Sequence, residues 1–254
     1  MRVAVVGLGG VGTAAVRHLA KAGCRVVGFE QFRLDHDRGS SYGASRVIRR
    51  VYPDRLYAEL MAAAYPLWHE LEQEAGEELL LQCGGFFFGP EGHPEMVATE
   101  EALRQVGVPY QRLSPAEAAR RFPQFRLRPD EYGVWEPQSG LLRASRCVRA
   151  AARSARASGA ELREETPVLS VEPAGPGFEV RSTAGRERFD RVILTVGPWT
   201  PTLLARWLDL PLRVTRQQYA HFRTADPPAF APGMPSCSGP TFNAGSPGPP
   251  AKRR

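Results

Sequence analysis

A glycine-rich turn near the N-terminus is the feature that most constrains how this chain can fold. It follows a run of β-branched and apolar residues from Arg2 to Gly7 and precedes an apolar-periodic segment from about Gly10 to Ala22. A second strand-like run extends from Arg25 to Glu30. Strand, helix and strand within ~30 residues predict the unit that builds a parallel sheet with a right-handed crossover.

The turn itself has a sequence that suits phosphate binding, Gly7-Leu8-Gly9-Gly10-Val11-Gly12. In such a turn the first glycine permits the sharp bend, the second lets the backbone approach a pyrophosphate, and the third lets the helix pack against the strand. Backbone N–H groups and the positive end of the helix dipole then point at the phosphates.

Glu30 ends the second strand, where a carboxylate can accept hydrogen bonds from ribose hydroxyls. Together these features predict a dinucleotide site, and they do not by themselves distinguish NAD from FAD. The alternative is a tight turn with no ligand and a solvated carboxylate at a strand end.

Further along the chain, apolar residues recur at helical spacing from Asp54 to Glu74, and we expect a kink or break at Pro66. Ser114-Pro115-Ala116-Glu117 predicts a helix start with a capping box. A helix is expected over 145–158, followed by strands over 161–171, 178–182 and 191–196. The last of these is a candidate second segment of the nucleotide-binding sheet.

Composition excludes several functional classes. The net charge is +6, but the basic residues are almost all arginines interspersed with acids, which argues against a nucleic-acid surface. The apolar runs are far shorter than the roughly 20 residues of a membrane-spanning helix, and no signal peptide precedes the first strand, so we expect a cytoplasmic protein that does not contact a membrane. The four cysteines form no CxxC pair, so we expect no metal site and no disulfide framework.

Several stretches resemble the family of sarcosine, pipecolate and N-methyltryptophan oxidases, within the D-amino acid oxidase-like superfamily. The resemblance rests on the segments Glu30 to His36, Arg38-Gly39-Ser40-Ser41-Tyr42-Gly43, Ser45-Arg46-Val47-Ile48-Arg49, Glu136-Pro137-Gln138-Ser139-Gly140 and Thr195-Val196-Gly197-Pro198-Trp199. It implies an α/β fold, with an FAD-binding Rossmann-type domain of the glutathione reductase kind and an incomplete α+β substrate domain.

The resemblance also implies which residues hold the cofactor and the substrate. FAD would be bound by Gly7, Gly9, Gly10, Gly12, Glu30, Gln31, His36, Ser40, Gly43, Ser45, Arg46, Val168, Gly197 and Trp199. Arg46 would lie beside the flavin and stabilise developing negative charge, and Arg49 would bind the substrate carboxylate through two parallel hydrogen bonds. Tyr42 stands where several relatives carry histidine. The residues alone leave another interpretation open, in which both arginines are surface residues of one short helix and Tyr42 is a packing aromatic.

The implied reaction is oxidation of a secondary or N-methylated amino acid, with oxygen as the electron acceptor and hydrogen peroxide as the product. The expected organisation is an FAD-binding domain in two segments, 1–80 and 141–210, a substrate-domain segment at 81–140, and the start of a further substrate segment at 211–224. The Pro/Gly/Ser-rich region 225–254 is expected to be disordered. Because members of the family continue past this point, we expect a chain shortened by a frameshift or premature stop near Met234.

The residues leave three other functions open. The chain could be a non-catalytic FAD-binding remnant or a subunit that needs a partner. It could be an NAD-dependent dehydrogenase, or a flavin dehydrogenase that passes electrons to an acceptor other than oxygen.

Overall fold

A computed structural model describes residues 1–205, 207, 208, 210–216, 218, 223, 225–230 and 234–240. Six α-helices are present in these residues: α1 (Gly10–Lys21), α2 (Arg55–Ala75), α3 (Pro94–Val106), α4 (Pro115–Arg121), α5 (Ala144–Ala157) and α6 (Thr200–Leu204). The strands are β1 (Arg2–Val6), β2 (Arg25–Phe29), β3 (Arg46–Ile48), β4 (Leu80–Leu81), β5 (Gly85–Pro90), β6 (Gln111–Leu113), β7 (Glu131–Glu136), β8 (Gly140–Leu142), β9 (Glu161–Arg163), β10 (Val168–Ala174), β11 (Gly177–Ser182), β12 (Gly185–Phe189), β13 (Arg191–Leu194) and β14 (Ser236–Ser238).

The chain divides into two compact units. Unit 1 comprises Met1–Arg46, Glu70–Leu79 and Arg143–Thr215, and unit 2 comprises Val47–His69, Leu80–Leu142 and Arg216–Arg254. The expected two-segment arrangement of 1–80 and 141–210 differs from this division, because residues 47–69 group with unit 2 and only the end of α2 returns to unit 1.

Unit 1 is built around a parallel sheet in the order β13-β1-β2-β9. The parallel pairing of β1 with β2 and with β13 confirms both the strand–helix–strand unit and the second sheet segment expected from the sequence. Successive side chains of β1 point to opposite faces. Val5 therefore packs with α1 and α5, whereas Ala4 packs against a second, antiparallel sheet of β10, β11 and β12.

A charged cluster stabilises the helical face of unit 1. The guanidinium of Arg17 on α1 is buried and lies 2.9 Å from Glu70 and 2.8 Å from Glu74. Partial burial alone would raise the pKa of Glu74, but hydrogen bonds from Lys21, Ser154 and Arg17 outweigh it and lower that pKa to about 2. The Glu74 carboxylate is therefore charged in the folded chain at every pH near neutrality.

Unit 2 contains a four-stranded sheet in the order β14-β5-β7-β6 and a three-stranded sheet in the order β3-β8-β4. Phe87 packs with α3 residues on one face of the larger sheet, and Phe86 packs with Ala118 of α4 on the other. The capping box predicted at Ser114 is present: its side chain accepts from the backbone N–H of Glu117, whose carboxylate accepts from the N–H of Ser114.

Two sequence expectations about unit 2 need correction. α2 continues through Pro66 without the break considered above, because the neighbouring Tyr65 and Trp68 pack against Ile48 and Leu80 and hold both turns in place. The region expected to be disordered contains β14, which pairs in parallel with β5. Residues 231–233 and 241–254 of that region lie outside the described residues. Among the helices described, none has both the length and the apolar composition to cross a membrane.

Candidate functional site

The glycine turn of unit 1 is held so tightly that side chains do not fit at two of its positions. Gly7 has φ of +93°, and a Cβ atom there would lie 2.5 Å from the carbonyl oxygen of Thr195. A Cβ atom on Gly12 would lie 1.8 Å from the carbonyl oxygen of Gly7. The Thr195 hydroxyl donates to that same Gly7 oxygen at 2.7 Å and so joins the end of β13 to the turn.

The first turn of α1 presents donors to this region. Its N-cap is Gly9, which supplies no side-chain hydrogen bond, and its first turn contains no acidic residue. The Gly10 N–H donates to the Ser41 hydroxyl oxygen at 2.8 Å. The positive end of the α1 dipole therefore faces one neutral hydroxyl, that of Ser41, and the first turn of α1 contains no carboxylate. This arrangement suits an anionic ligand.

Glu30 is held in one orientation at the end of β2. It is 4% exposed, and its Oε2 accepts from the Leu8 N–H at 2.8 Å while Oε1 accepts from the Phe32 N–H at 3.1 Å. The Nε2 atom of His36 lies 3.5 Å from Oε1. Since an ionised carboxylate offers about four lone-pair positions, capacity remains for hydroxyl donors from a ligand.

These groups border one cavity of about 640 Å³ that lies within unit 1. Its volume falls in the range of small-molecule and cofactor sites. The wall is formed by the glycine turn, the end of β2, the loop of residues 35–42, one residue of α5, the start of β10 and the segment after β13. It includes Gly7, Gly9, Gly10, Glu30, Gln31, His36, Ser40, Ser41, Tyr42, Val148, Val168, Thr195, Gly197 and Trp199.

Comparison with known proteins identifies the family. A family model described as "FAD dependent oxidoreductase" matches residues 2–245. The chain belongs to this family. The match confirms the family and the flavin cofactor expected from the resemblance, and it favours FAD over the NAD alternative.

Individual relatives agree with this assignment. The chain is 35% identical over 216 residues to a monomeric sarcosine oxidase of Streptomyces avermitilis, covering 85% of this chain and 56% of that protein. It is 29% identical over 211 residues to an N-methyl-L-tryptophan oxidase of Yersinia pestis, covering 82% and 57%. The solved open form of NikD, an amino acid oxidase of nikkomycin biosynthesis, superposes with a TM-score of 0.71 at 29% identity, covering 80% of this chain and 53% of that one. The chain thus spans somewhat more than half the length of the proteins it matches.

The cavity of this family member fits the adenosine diphosphate half of FAD. A pyrophosphate needs close approach to backbone N–H groups, and the absence of side chains at Gly9 and Gly10 leaves that approach open beside Ser41. A ribose needs a fixed acceptor, and the Glu30 carboxylate on the cavity wall is held in one orientation.

The structure brings most of the predicted cofactor residues to this wall, but not all. Gly7, Gly9, Gly10, Glu30, Gln31, His36, Ser40, Val168, Gly197 and Trp199 border the cavity, as does Tyr42. Gly12 does not, because it is the packing contact between α1 and the turn. Gly43 and Ser45 also lie outside the wall; the Gly43 N–H donates instead to the Ser145 hydroxyl at 3.1 Å.

Arg46 is the predicted residue whose surroundings differ most from expectation. It does not border the cavity, and its guanidinium donates to the carbonyl oxygens of Ser40, Tyr42 and Ser45 at 2.6–2.7 Å. These hydrogen bonds stabilise the loop of residues 40–45. The alternative that placed Arg46 and Arg49 on one short helix is wrong, since residues 46–48 form β3.

Several residues that border the cavity were not predicted as site residues, and two of them, Ser41 and Thr195, form hydrogen bonds with the glycine turn. Both act through backbone partners far away in sequence, Gly10 for Ser41 and Gly7 for Thr195. Ser41 adjoins Ser40 in the glycine-serine run, so the sequence signal was present but did not show which hydroxyl faces α1. Arg49 belongs to unit 2 and does not border this cavity.

Proposed function

We propose that this chain forms the FAD-binding part of an enzyme that oxidises a secondary or N-methylated amino acid. The observation that carries the proposal is the joint placement of the glycine turn, the start of α1 and the buried Glu30 around one cavity, in a chain of the FAD-dependent oxidoreductase family. The substrate class is supported by the similarity to enzymes named for sarcosine and N-methyl-L-tryptophan.

Different residues of unit 1 would bind different parts of the cofactor. The N–H groups at the start of α1 bind the pyrophosphate, with the Ser41 hydroxyl as a neighbouring partner. Glu30 accepts from the ribose hydroxyls, and its orientation is fixed beforehand by the Leu8 and Phe32 N–H groups. Val168, Gly197 and Trp199 line the same cavity. Val168 would contact the adenine end, and Gly197 and Trp199 would line the cofactor from the segment after β13.

The redox chemistry of the reaction would come from bound FAD, and two arginines have supporting roles. Bound FAD would supply a hydride acceptor for the carbon next to the substrate nitrogen, and oxygen would serve as the final electron acceptor, with hydrogen peroxide as the product. Arg49 binds the substrate carboxylate, a task for which a planar guanidinium with parallel donors is suited. Arg46 contributes by fixing the loop that carries Ser40, Ser41 and Tyr42.

A visible absorption spectrum and a peroxide assay test the proposal. The purified chain reconstituted with FAD is expected to show flavin absorbance that remains after gel filtration. It is expected to release peroxide with sarcosine, L-pipecolate or L-proline. Retained flavin with no peroxide and no reduction of an artificial electron acceptor would support the non-catalytic alternative. Failure to retain FAD would contradict the proposal at its first step.

A further inference from the structure

The short strand β14 brings a hydroxyl group to Arg49. Ser236 and Ser238 lie opposite Gly85 and Phe87 in the parallel pairing of β14 with β5. Between them, Cys237 packs into the aromatic cluster of Phe86 and Phe88. Since side chains alternate along a strand, both serines point away from that cluster. Gly239 follows β14, and a Cβ atom there would lie 2.1 Å from the carbonyl oxygen of Phe88, so the strand is seated closely against β5.

Arg49 has two contacts that fix its guanidinium. Its Nη1 donates to the Ser238 hydroxyl oxygen at 2.8 Å, and its central carbon lies 4.9 Å from the ring centroid of Tyr52. Val51, two residues after Arg49, is 2% exposed and belongs to the same apolar cluster as Phe87, the register partner of Ser238. The backbone that carries Arg49 and the strand that carries Ser238 are therefore anchored to the same part of unit 2.

We propose that Ser238 is a positioning residue that orients the Arg49 guanidinium for the substrate carboxylate. This inference rests on the proposed function, in which Arg49 binds that carboxylate. A guanidinium has five N–H donors, and the Ser238 bond uses one of them. With one edge fixed by Ser238 and one face covered by Tyr52, the remaining donors are held in a set direction. A two-point carboxylate contact then requires less ordering of the arginine side chain when the anion binds.

The chain offers a matched control for this role in the same strand. The Ser236 hydroxyl donates to the carbonyl oxygen of Gly84 at 3.3 Å and forms no hydrogen bond with Arg49. Replacing either serine by alanine removes one hydroxyl from β14 and leaves the backbone pairing intact. A difference between the two variants therefore reports the contact with Arg49 rather than the stability of the strand.

The experiment measures carboxylate binding to the full chain loaded with FAD, by isothermal titration calorimetry. The probe is methoxyacetate, which has a carboxylate but no amine to oxidise, and its uncharged counterpart is methoxyacetamide. Ser238→Ala is expected to raise the Kd for methoxyacetate about fivefold to tenfold, the equivalent of one net hydrogen bond. Ser236→Ala and Ser238→Thr, which keeps the hydroxyl, are expected to stay within about twofold of the parent chain. Weak binding of methoxyacetamide should be the same in all of them.

The Arg49→Met variant distinguishes failure of the positioning role of Ser238 from failure of the proposed role of Arg49. Arg49→Met is expected to abolish methoxyacetate binding. If it does so while Ser238→Ala binds like the parent chain, the positioning role is overturned and the proposed function stands. If Ser236→Ala and Ser238→Ala weakened methoxyacetate binding equally, the positioning role would also be overturned. The effect would then come from a change in β14 and not from the contact with Arg49. If the parent chain binds no methoxyacetate, or Arg49→Met binds it equally well, the proposed role of Arg49 and this inference fall together.

Discussion

Replacement of Glu30 by glutamine is the sharpest test of how unit 1 holds its cofactor. Glu30 is 4% exposed and accepts from two backbone N–H groups, at 2.8 Å from Leu8 and 3.1 Å from Phe32. Glutamine has nearly the same shape but only one acceptor oxygen, and it turns an NH₂ group toward the other donor. One buried N–H then loses its partner, which costs about 1–3 kcal/mol of the free energy of unfolding.

The effect on FAD should be larger than the effect on folding alone suggests. Hydrogen bonds from ribose hydroxyls to a charged carboxylate are roughly twice as strong as those to a neutral amide oxygen. Combined with the disturbed orientation of the side chain, this difference predicts that the Kd for FAD rises about 10- to 100-fold, since each 1.4 kcal/mol corresponds to about a factor of ten.

Fluorescence quenching of added FAD measures the Kd, and urea unfolding of the cofactor-free chain measures stability separately. Glu165→Gln is the matched control, because that carboxylate is 66% exposed and lies 3.4 Å from Arg33 on the surface of unit 1. The control should bind FAD like the parent chain. A folded Glu30→Gln chain whose Kd for FAD lies within twofold of the parent value would refute the assignment of Glu30 to the ribose.

Three further predictions concern folding. Gly12→Ala should abolish FAD retention and lower the free energy of unfolding by more than about 3 kcal/mol, because the new Cβ atom would lie 1.8 Å from the Gly7 carbonyl oxygen. Gly10→Ala should fold normally in the same urea titration, because its Cβ atom would lie 3.4 Å from the Ser41 hydroxyl oxygen. The pKa of Glu74 is lowered from 4.5 to about 2, so its contribution to stability is present above pH 4.5 and is lost as the pH falls toward 2. Thermal unfolding of Glu74→Gln should accordingly depend less on pH in that window, and identical pH profiles would contradict the ion-pair explanation. Ser114→Ala should lower the free energy of unfolding by about 1 kcal/mol through loss of the α4 cap, measured by urea unfolding. Ser114→Thr should keep most of that stability, because threonine can also cap the helix.

The sequence predicted the local parts of this fold well because those parts depend on neighbouring residues. The strand, glycine turn, helix and strand of residues 2–30 follow from short-range periodicity and from backbone conformations that glycine alone adopts easily. The capping box at Ser114 is likewise a contact between residues three positions apart. Boundaries of these elements moved by only one or two residues, because fraying ends carry little packing energy.

Expectations that depended on distant packing were less successful. A proline inside an apolar-periodic segment suggested a break, yet burial of Tyr65 and Trp68 on the same helix outweighs the missing hydrogen bond at Pro66. The low-complexity composition after residue 225 suggested disorder, yet β14 gains a full strand pairing with β5. Composition describes the average behaviour of a segment and does not show which partner strand is available to it.

What the sequence by itself determined is the type of cofactor cradle, because the glycines of the turn and Glu30 lie within one strand–helix–strand unit whose geometry is set locally. Tertiary structure alone decided which hydroxyls meet that cradle and the candidate substrate arginine. Ser41 reaches Gly10, Thr195 reaches Gly7, and Ser238 reaches Arg49 across 31, 188 and 189 positions. Such contacts arise only after sheets and helices pack, since no periodicity of a sequence encodes which strand ends become neighbours.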